Sequence, residues 1–498
     1  MDDVSRRVFL QAPAAVQAAG PGWPNVLVIM FDQWRYDCLG ANGNGLVRTP
    51  NLDRLAARSV RYTHTFVQAP VCVPSRTSYL TGRYPHCHKN RVNYTPYTQP
   101  EPMLQKLLQE AGYRTGSVGK LHFRPGTNAH ARTTGFDLVQ LDDGIPRTDR
   151  YSDYAKWRNA NDPLAKECHY NATVKGSGNP FRARIERQYT PTAWTGAETR
   201  GMLRELAKGT APFFLFSSFF KPHAPYTVPA PFDAMYNDVE IPLPRQVDMA
   251  YIQSLPLPVQ RMILRFKPEY QTDRGLLQWM WRSYYAGVTM LDEEVGLILD
   301  ELEKTGKAGN TVVFALSDHG DQMLEHGLFG KNVFFEDSVR VPMLVHWPGR
   351  LTPGTRTELT EAIDVMPTIL EMCSVPVPDR VQGRSLLRTG GAREMVFCEN
   401  IMPEVITNGD TGYPFAPGKG IDGVRHPDSK MVRTERWKLN YYPGNGGELY
   451  DLQNDPGEWR NLYADPAHAR TVSELKGALL DWLCTADETD QIEKKWEI

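Results

Sequence analysis

The sequence has no excess of basic residues. Lys and Arg number 56 against 58 Asp and Glu, a formal net charge of −2. Without a surplus of cations to displace phosphate counterions, a nucleic-acid partner is not expected. Long apolar runs are also missing. The best, at 25–31 and 213–220, fall far short of the ~18 residues a membrane-spanning helix needs. Cysteine is sparse: seven residues, at 38, 72, 87, 168, 373, 398 and 484, unevenly spaced and without a C-x-x-C pair. That excludes a disulfide scaffold or a cysteine-cluster metal site, and leaves at least one thiol unpaired within the chain. No internal repeat or low-complexity tract is present, so disordered, collagen-like and coiled-coil classes drop out. What remains is 498 residues of ordinary globular composition. The length suits about three domains, or one large α/β domain plus a small one.

Four segments share one pattern, an apolar run followed at once by polar residues. Residues 25–31 lead to Asp32-Gln33 and 113–118 to Gly119-Lys120-Leu121-His122. Residues 213–220 lead to Lys221-Pro222-His223, and 311–316 to Ser317-Asp318-His319-Gly320. Such runs suit strands buried on both faces. Helical patterns lie between them, the clearest over 282–304, where Tyr285, Val288, Leu291, Val295, Ile298 and Leu302 form one stripe and Gly306 and Gly309 follow as stops. The expected fold class is α/β: a large, doubly wound, mixed or parallel sheet with helices on both faces. In such sheets ligands bind at the carboxyl ends of the strands. The four polar clusters would then share one crevice.

Beyond about residue 383 the pattern changes. Segments 393–398, 431–442 and 448–452 read as short strands and 467–483 as a helix, a small C-terminal α+β domain with an antiparallel sheet. The division expected is 22–385 and 386–498. Residues 141–188 are polar and irregular, an excursion able to shape the mouth of a site. Residues 1–21 carry Arg6-Arg7 before Phe9-Leu10 and an Ala-rich stretch, as twin-arginine export signals do; a disordered tail is the alternative.

The segment 71–85 begins Val71-Cys72-Val73-Pro74-Ser75-Arg76. Pro74 and Ser75 fit a helix first turn, and Gly82 with Pro85 fits its stop. Cys72 would lie at the helix start, where amide N–H groups and the dipole favour an anion, with Arg76 one turn on. That describes a reactive cysteine, or a buried inert one. The string Cys72-x-Pro74-Ser75-Arg76 followed by Leu80-Thr81-Gly82-Arg83 closely resembles the signature of type I sulfatases, in the alkaline phosphatase superfamily. The resemblance continues through Asp32, Thr49-Pro50-Asn51-Leu52-Asp53-Arg54-Leu55-Ala56 and Gly119-Lys120-Leu121-His122. It includes Lys221-Pro222-His223, Ser317-Asp318-His319-Gly320 and Glu325-His326-Gly327. It ends with the C-terminal 433–439 and 448–452.

The resemblance implies that Cys72 is oxidised to formylglycine by a formylglycine-generating or sulfatase-maturing enzyme. The hydrated aldehyde offers one hydroxyl to attack sulfur and a second whose deprotonation frees sulfate. It implies one divalent metal held by Asp32, Gln33, residue 72, Asp318 and His319. Arg76 would hold the hydrate, while Lys120 and Lys331 would neutralise sulfate oxygens. His122 would act as base, and His223, with Lys331, would protonate the leaving alkoxide. Asn93 and His326 are further candidates for substrate contact. Trp157, His169, Tyr413 and Phe415 are candidates for a specificity pocket. The sequons at Asn93 and Asn171 matter only in a eukaryotic secretory pathway.

One departure stands out. Many family members carry a second carboxylate after the first Asp and an Asn after the later one, where this chain has Asp32-Gln33 and Asp318-His319. Calcium, the usual metal of the family, prefers all-oxygen ligands, whereas an imidazole suits manganese or zinc. These pairs resemble those of phosphonate monoester and phosphodiester hydrolases. The leading expectation is a sulfuric ester hydrolase acting on a sulfated small molecule or glycan. The alternative is a formylglycine-dependent phosphonate or phosphodiester hydrolase with sulfatase side activity. A third reading is a non-catalytic sulfated-glycan binder. The export signal implies a periplasmic or secreted protein, with a cytoplasmic one as the alternative.

Overall fold

The computed structural model describes residues 22–93, 103–123, 125–143, 152–264, 272–388, 392–401 and 428–486. Residues 1–21, with the twin arginines, and Tyr413 and Phe415 lie outside them.

The apolar run near the N-terminus forms β1 (Asn25–Asp32), with every residue buried. Alternation explains this. Val26, Val28 and Met30 enter one apolar cluster, while Leu27, Ile29 and Phe31 enter another on the opposite face. The remaining strands of this sheet are β2 (Val60–Phe66), β3 (Arg114–Gly119), β4 (Leu138–Leu141), β5 (Phe213–Pro222), β6 (Thr311–Ser317), β7 (Arg340–His346), β8 (Gly354–Arg356) and β9 (Thr360–Glu361). The order is β4-β3-β5-β1-β6-β7-β2-β8, with β9 also on β2. β1 pairs in parallel with β5 and β6. β7 runs antiparallel to both its neighbours, so the sheet is mixed.

Helix Pro191–Ala207 and the long helix Arg274–Lys304 cover one face, supplying Leu203, Leu206, Leu277, Met280 and Trp281 to its cluster. Helices Leu104–Glu110 and Val365–Met372 cover the other. The long helix starts eight residues before the stripe at 282 expected from periodicity. Asp273 caps it by accepting a hydrogen bond from the Leu276 amide (2.9 Å), a signal the apolar pattern does not carry.

A second sheet, β10 (Val396–Ile401), β11 (Asp428–Arg433), β12 (Trp437–Tyr441) and β13 (Gly447–Asp451), is antiparallel throughout. Helix Ala469–Ala486 packs on it through Leu475, Leu479 and Trp482. The segment 431–442, read above as one strand, is two. Polar Thr434, Glu435 and Arg436 make the turn, closed by the Trp437 amide donating to Thr434 Oγ1 at 2.8 Å. Tyr84, Cys87 and Ile363 join the second sheet's core, so the two sheets share apolar contact. The irregular stretch contains a helix, Asp153–Asn161, capped by Ser152. No helix among the described residues is long and apolar enough to cross a membrane. All seven cysteines are free.

Candidate active site

The parallel strands deliver their following residues to one edge of the sheet. Asp32 ends β1, Asp318 and His319 follow β6, Lys120 follows β3, and His223 follows β5. Over them stands helix Cys72–Thr81, buried along its whole length and closed by Gly82 in the left-handed region (φ 66°). Its start is secured from outside the helix. Asn93 Oδ1 accepts the Val73 amide at 3.0 Å. Asn93 thus caps the cysteine helix, a role the sequence spacing did not suggest.

Cys72 Sγ lies 3.1 Å from Lys331 Nζ, 3.2 Å from His319 Nε2, 3.8 Å from Asp32 Oδ1 and 3.9 Å from Lys120 Nζ. Burial and the Asp32 charge push the thiol up. Lys120, Lys331 and His319 outweigh them and bring it down to about 7. Asp32 is fully buried, which alone would raise its pKa, but Lys120, His223, Lys331 and Arg76 hold it well below the carboxylate range. Lys120 donates directly to Asp32 Oδ2.

Arg76 ties the strand ends together. Its Nε donates to Asp318 Oδ2 (2.7 Å), and Nη1 donates to the Lys120 carbonyl (2.6 Å) and Ser218 Oγ (2.8 Å). Its buried Nη2 has no hydrogen-bond partner and stands 3.6 Å from Asp32 Oδ2. Ser75 Oγ donates to the Asp318 carbonyl (2.5 Å).

Donor atoms of Asp32, Cys72, Asp318 and His319 all lie within 4.8 Å of one another. His319 Nδ1 is 3.0 Å from the Gly320 carbonyl, so a proton there leaves Nε2 as a ligand atom toward the cluster. Two carboxylates, an imidazole and residue 72 fit a divalent ion. Gln33 sits beside this set with φ 68°. Its Nε2 donates to Asp321 Oδ2 (2.5 Å) and its Oε1 accepts from Lys331 Nζ (2.7 Å). In this geometry the Gln33 amide oxygen is engaged by Lys331.

The other sequence candidates separate. His122 (φ 61°) follows Lys120 closely and is buried, its amide held by Asp143 Oδ1 at 2.8 Å. His223 has Nδ1 2.5 Å from the Ala224 carbonyl; burial first, then Lys331 and Lys120, push it well below its ordinary value. His326 is enclosed by rings instead, stacked on Phe335 (3.9 Å) and beside Trp459 (4.4 Å), with Nδ1 2.5 Å from Tyr251 Oη. These contacts give it a packing role in place of the substrate contact expected. Trp157 packs on Tyr154 and Tyr189, and His169 on Tyr170.

Sequence reasoning missed Ser75, Ser218, Asp143, Asp321 and the tyrosines Tyr226 and Tyr284. Two had a local signal: Ser75 stands in the string around Cys72, and Asp321 comes three residues after Asp318. Tyr226 Oη donates to Asp321 Oδ2 (2.7 Å), and Tyr284 Oη to the Gln33 carbonyl (2.8 Å).

A mixed sheet with acidic and imidazole donors at its strand ends, under a helix whose first residue, Cys72, is approached by two lysines, defines a hydrolase of the alkaline phosphatase superfamily. The profile described as "Sulfatase" matches residues 24–375, and the chain belongs to that family; it is a sulfuric ester hydrolase. A second profile, "N-sulphoglucosamine sulphohydrolase, C-terminal", matches residues 413–483. An arylsulfatase of Clostridium perfringens is 29% identical over 92% of this chain and 94% of its own length. A choline-sulfatase of Rhizobium meliloti is 28% identical over 89% and 83%. The phosphonate monoester hydrolase of Agrobacterium radiobacter shares the fold, with TM-score 0.80, 24% identity and coverage of 93% and 96%. The family implies a formylglycine and a divalent metal.

Proposed function

We propose that this protein hydrolyses a sulfate monoester to alcohol and sulfate, with Cys72 as the residue converted to formylglycine. The supporting observation is the convergence on Cys72 Sγ of two lysines, Asp32 and His319 within 4 Å, with Asp318 completing a donor set whose atoms lie within 4.8 Å of one another. The converted residue supplies the nucleophile, and the metal supplies an electrophile that steadies charge on it. Asp32, Asp318 and His319 would hold the ion, joined by Gln33 if its oxygen leaves Lys331. Calcium is the family's usual ion, and the His319 nitrogen admits manganese.

The chain's own residues account for the rest. Arg76 fixes Asp318 and the Lys120 carbonyl, and its unmatched Nη2, 3.6 Å from Asp32 Oδ2, is left to hold a group at residue 72. Lys120 and Lys331 offset the charge of the sulfate oxygens. His122 accepts the proton whose loss frees sulfate. His223 rests neutral, because burial and Lys331 disfavour its charge. An anionic substrate beside it favours the imidazolium, which then protonates the leaving oxygen together with Lys331. Cys72 is 1% exposed, so a maturing enzyme must reach it before the site closes. The twin arginines at 6–7 point to export to the periplasm or beyond.

The test combines three measurements on protein co-expressed with a maturing enzyme: mass of the Cys72 peptide, metal content, and turnover of aryl sulfates before and after chelation. An aldehyde, one divalent ion per chain and chelation-sensitive turnover are expected. An unmodified thiol in protein from its native host sinks the proposal. A second reading, hydrolysis of phosphonate monoesters or phosphodiesters, draws support from the Gln33 and His319 pairing. A phosphodiester kcat/KM far above the sulfate value would establish it instead.

A further inference from the structure

A partly open cavity of about 280 Å³ is lined by Phe181, Leu276, Met280 and Phe329 together with Pro225 and Tyr226. Its position follows from the chain. Pro225 and Tyr226 come two and three residues after His223, and Phe329 comes two before Lys331. A short chain of hydrogen bonds completes the link. Tyr226 Oη donates to Asp321 (2.7 Å), Asp321 accepts from Gln33 (2.5 Å), and Gln33 accepts from Lys331 (2.7 Å), which stands 3.1 Å from Cys72 Sγ. The one hydroxyl among these side chains is therefore spent on the catalytic side, leaving the tyrosine ring as wall. No charged side chain is among the described residues that line it. A sugar carries several hydroxyls, each of which would lose water here without a partner. An apolar carbon skeleton loses nothing and gains contact with three aromatic rings, Leu276 and Met280.

We propose that this cavity holds the alcohol portion of the ester, and that the preferred substrates are sulfate esters of neutral, apolar alcohols, alkyl or aryl. The inference rests on the sulfatase reading and adds the substrate class. The sulfate sits among the lysines, and the carbon skeleton extends past Pro225 toward the long helix.

The experiment compares ethyl and hexyl sulfate, whose leaving alkoxides are chemically alike, so that a difference in KM reports binding of the chain and not bond reactivity. Enzyme with a verified aldehyde at residue 72 is used. Hexyl sulfate should show a KM at least about tenfold lower, since each buried methylene adds to the apolar contact. Leu276→Trp fills the cavity from the half-buried first turn of the long helix, away from the catalytic residues. It should abolish the chain-length gain while leaving kcat/KM for ethyl sulfate within about twofold. Phe181→Ala, which widens the cavity, gives a second variant should Leu276→Trp fold poorly, and should weaken hexyl sulfate selectively. Equal KM values for the two esters, or a gain untouched by both variants, overturn the cavity assignment and leave the sulfatase reading intact. Glucosamine 6-sulfate or choline sulfate turned over more efficiently than hexyl sulfate overturns the substrate class. Absence of turnover for every sulfate ester by aldehyde-bearing enzyme overturns the sulfatase reading beneath it.

Discussion

Lys331 shows how one side chain can serve function with little part in stability. Its ammonium touches Cys72 Sγ and Gln33 Oε1, yet its side chain keeps 11% of its surface exposed. Lys331→Ala should lower kcat for an aryl sulfate by about a hundredfold or more, the scale of losing one charge-stabilising donor. The melting temperature should barely change. Arg76 is the opposite case. It is buried, and Asp318 Oδ2, the Lys120 carbonyl and Ser218 Oγ all take its hydrogen bonds. Lysine keeps the charge but not the planar fork. Arg76→Lys should cost activity and about 3 kcal/mol of stability, because it leaves the buried Asp318 carboxylate poorly paired. Denaturant titration beside turnover separates the two effects; a stable but inactive variant would contradict the tying role.

At the scale of elements, turns carry the precision of the site. β3 ends on Gly119 at φ 85°, and a Cβ there would run into the Ser218 carbonyl oxygen, the atom that accepts the Lys120 amide at 2.8 Å. Gly119→Ala should therefore push β3 from β5 and move Lys120. The expectation is loss of activity and a lower melting temperature together, measured on one preparation. Asn93 offers a milder test. Removing its cap from the cysteine helix with Asn93→Ala should cost about 1 kcal/mol by thermal melting, within the usual range for helix caps. Strands β1, β5 and β6 were legible in the sequence, because a strand covered on both faces leaves an apolar run, and β3 by the polar cluster after it; β2, β4 and β7 to β9, shorter or more polar, were not. The caps were not, because Asn93 reaches its helix from 20 residues away. The turn at Thr434 was hidden for a related reason: a short polar break between two apolar segments is also compatible with one exposed-edge strand.

For the whole molecule, the joint between the two sheets is ionic as well as apolar. His86, beyond the cysteine helix, holds Glu399 of β10 at 2.7 Å, with Arg91 and Lys430 on the same carboxylate. Burial would lower His86, but hydrogen bonds with Cys87 and Glu399 raise it from 6.5 to about 9. Glu399 is moved the other way: burial opposes its charge, yet His86 and Lys430 hold it below 4.5. The His86 contribution is complete below pH 6.5 and fades as pH rises through about 9. The Glu399 contribution is complete above pH 4.5 and fades on acidification. Stability should thus fall by on the order of 2 kcal/mol between pH 6.5 and 9 from this pair. Glu399→Gln should flatten that slope in a series of thermal melts; an unchanged slope would assign it to other groups.

The sequence alone specified the chemistry available at each strand end: Asp32-Gln33, His223 and Asp318-His319 after strongly apolar runs, and Lys120 and His122 after the more polar 113–118. It also specified the family, through the string around Cys72. Local patterns reach this far because burial periodicity and strand-end polarity are properties of neighbouring residues. Which donors face one another is not such a property. Gln33 is turned to Asp321 and Lys331, nearly 300 residues away. His326 is closed in by Phe335 and Trp459, and the space beside His223 is walled by Phe181 and Met280. Those outcomes depend on packing between distant segments, and packing exists only once the sheet has brought them together.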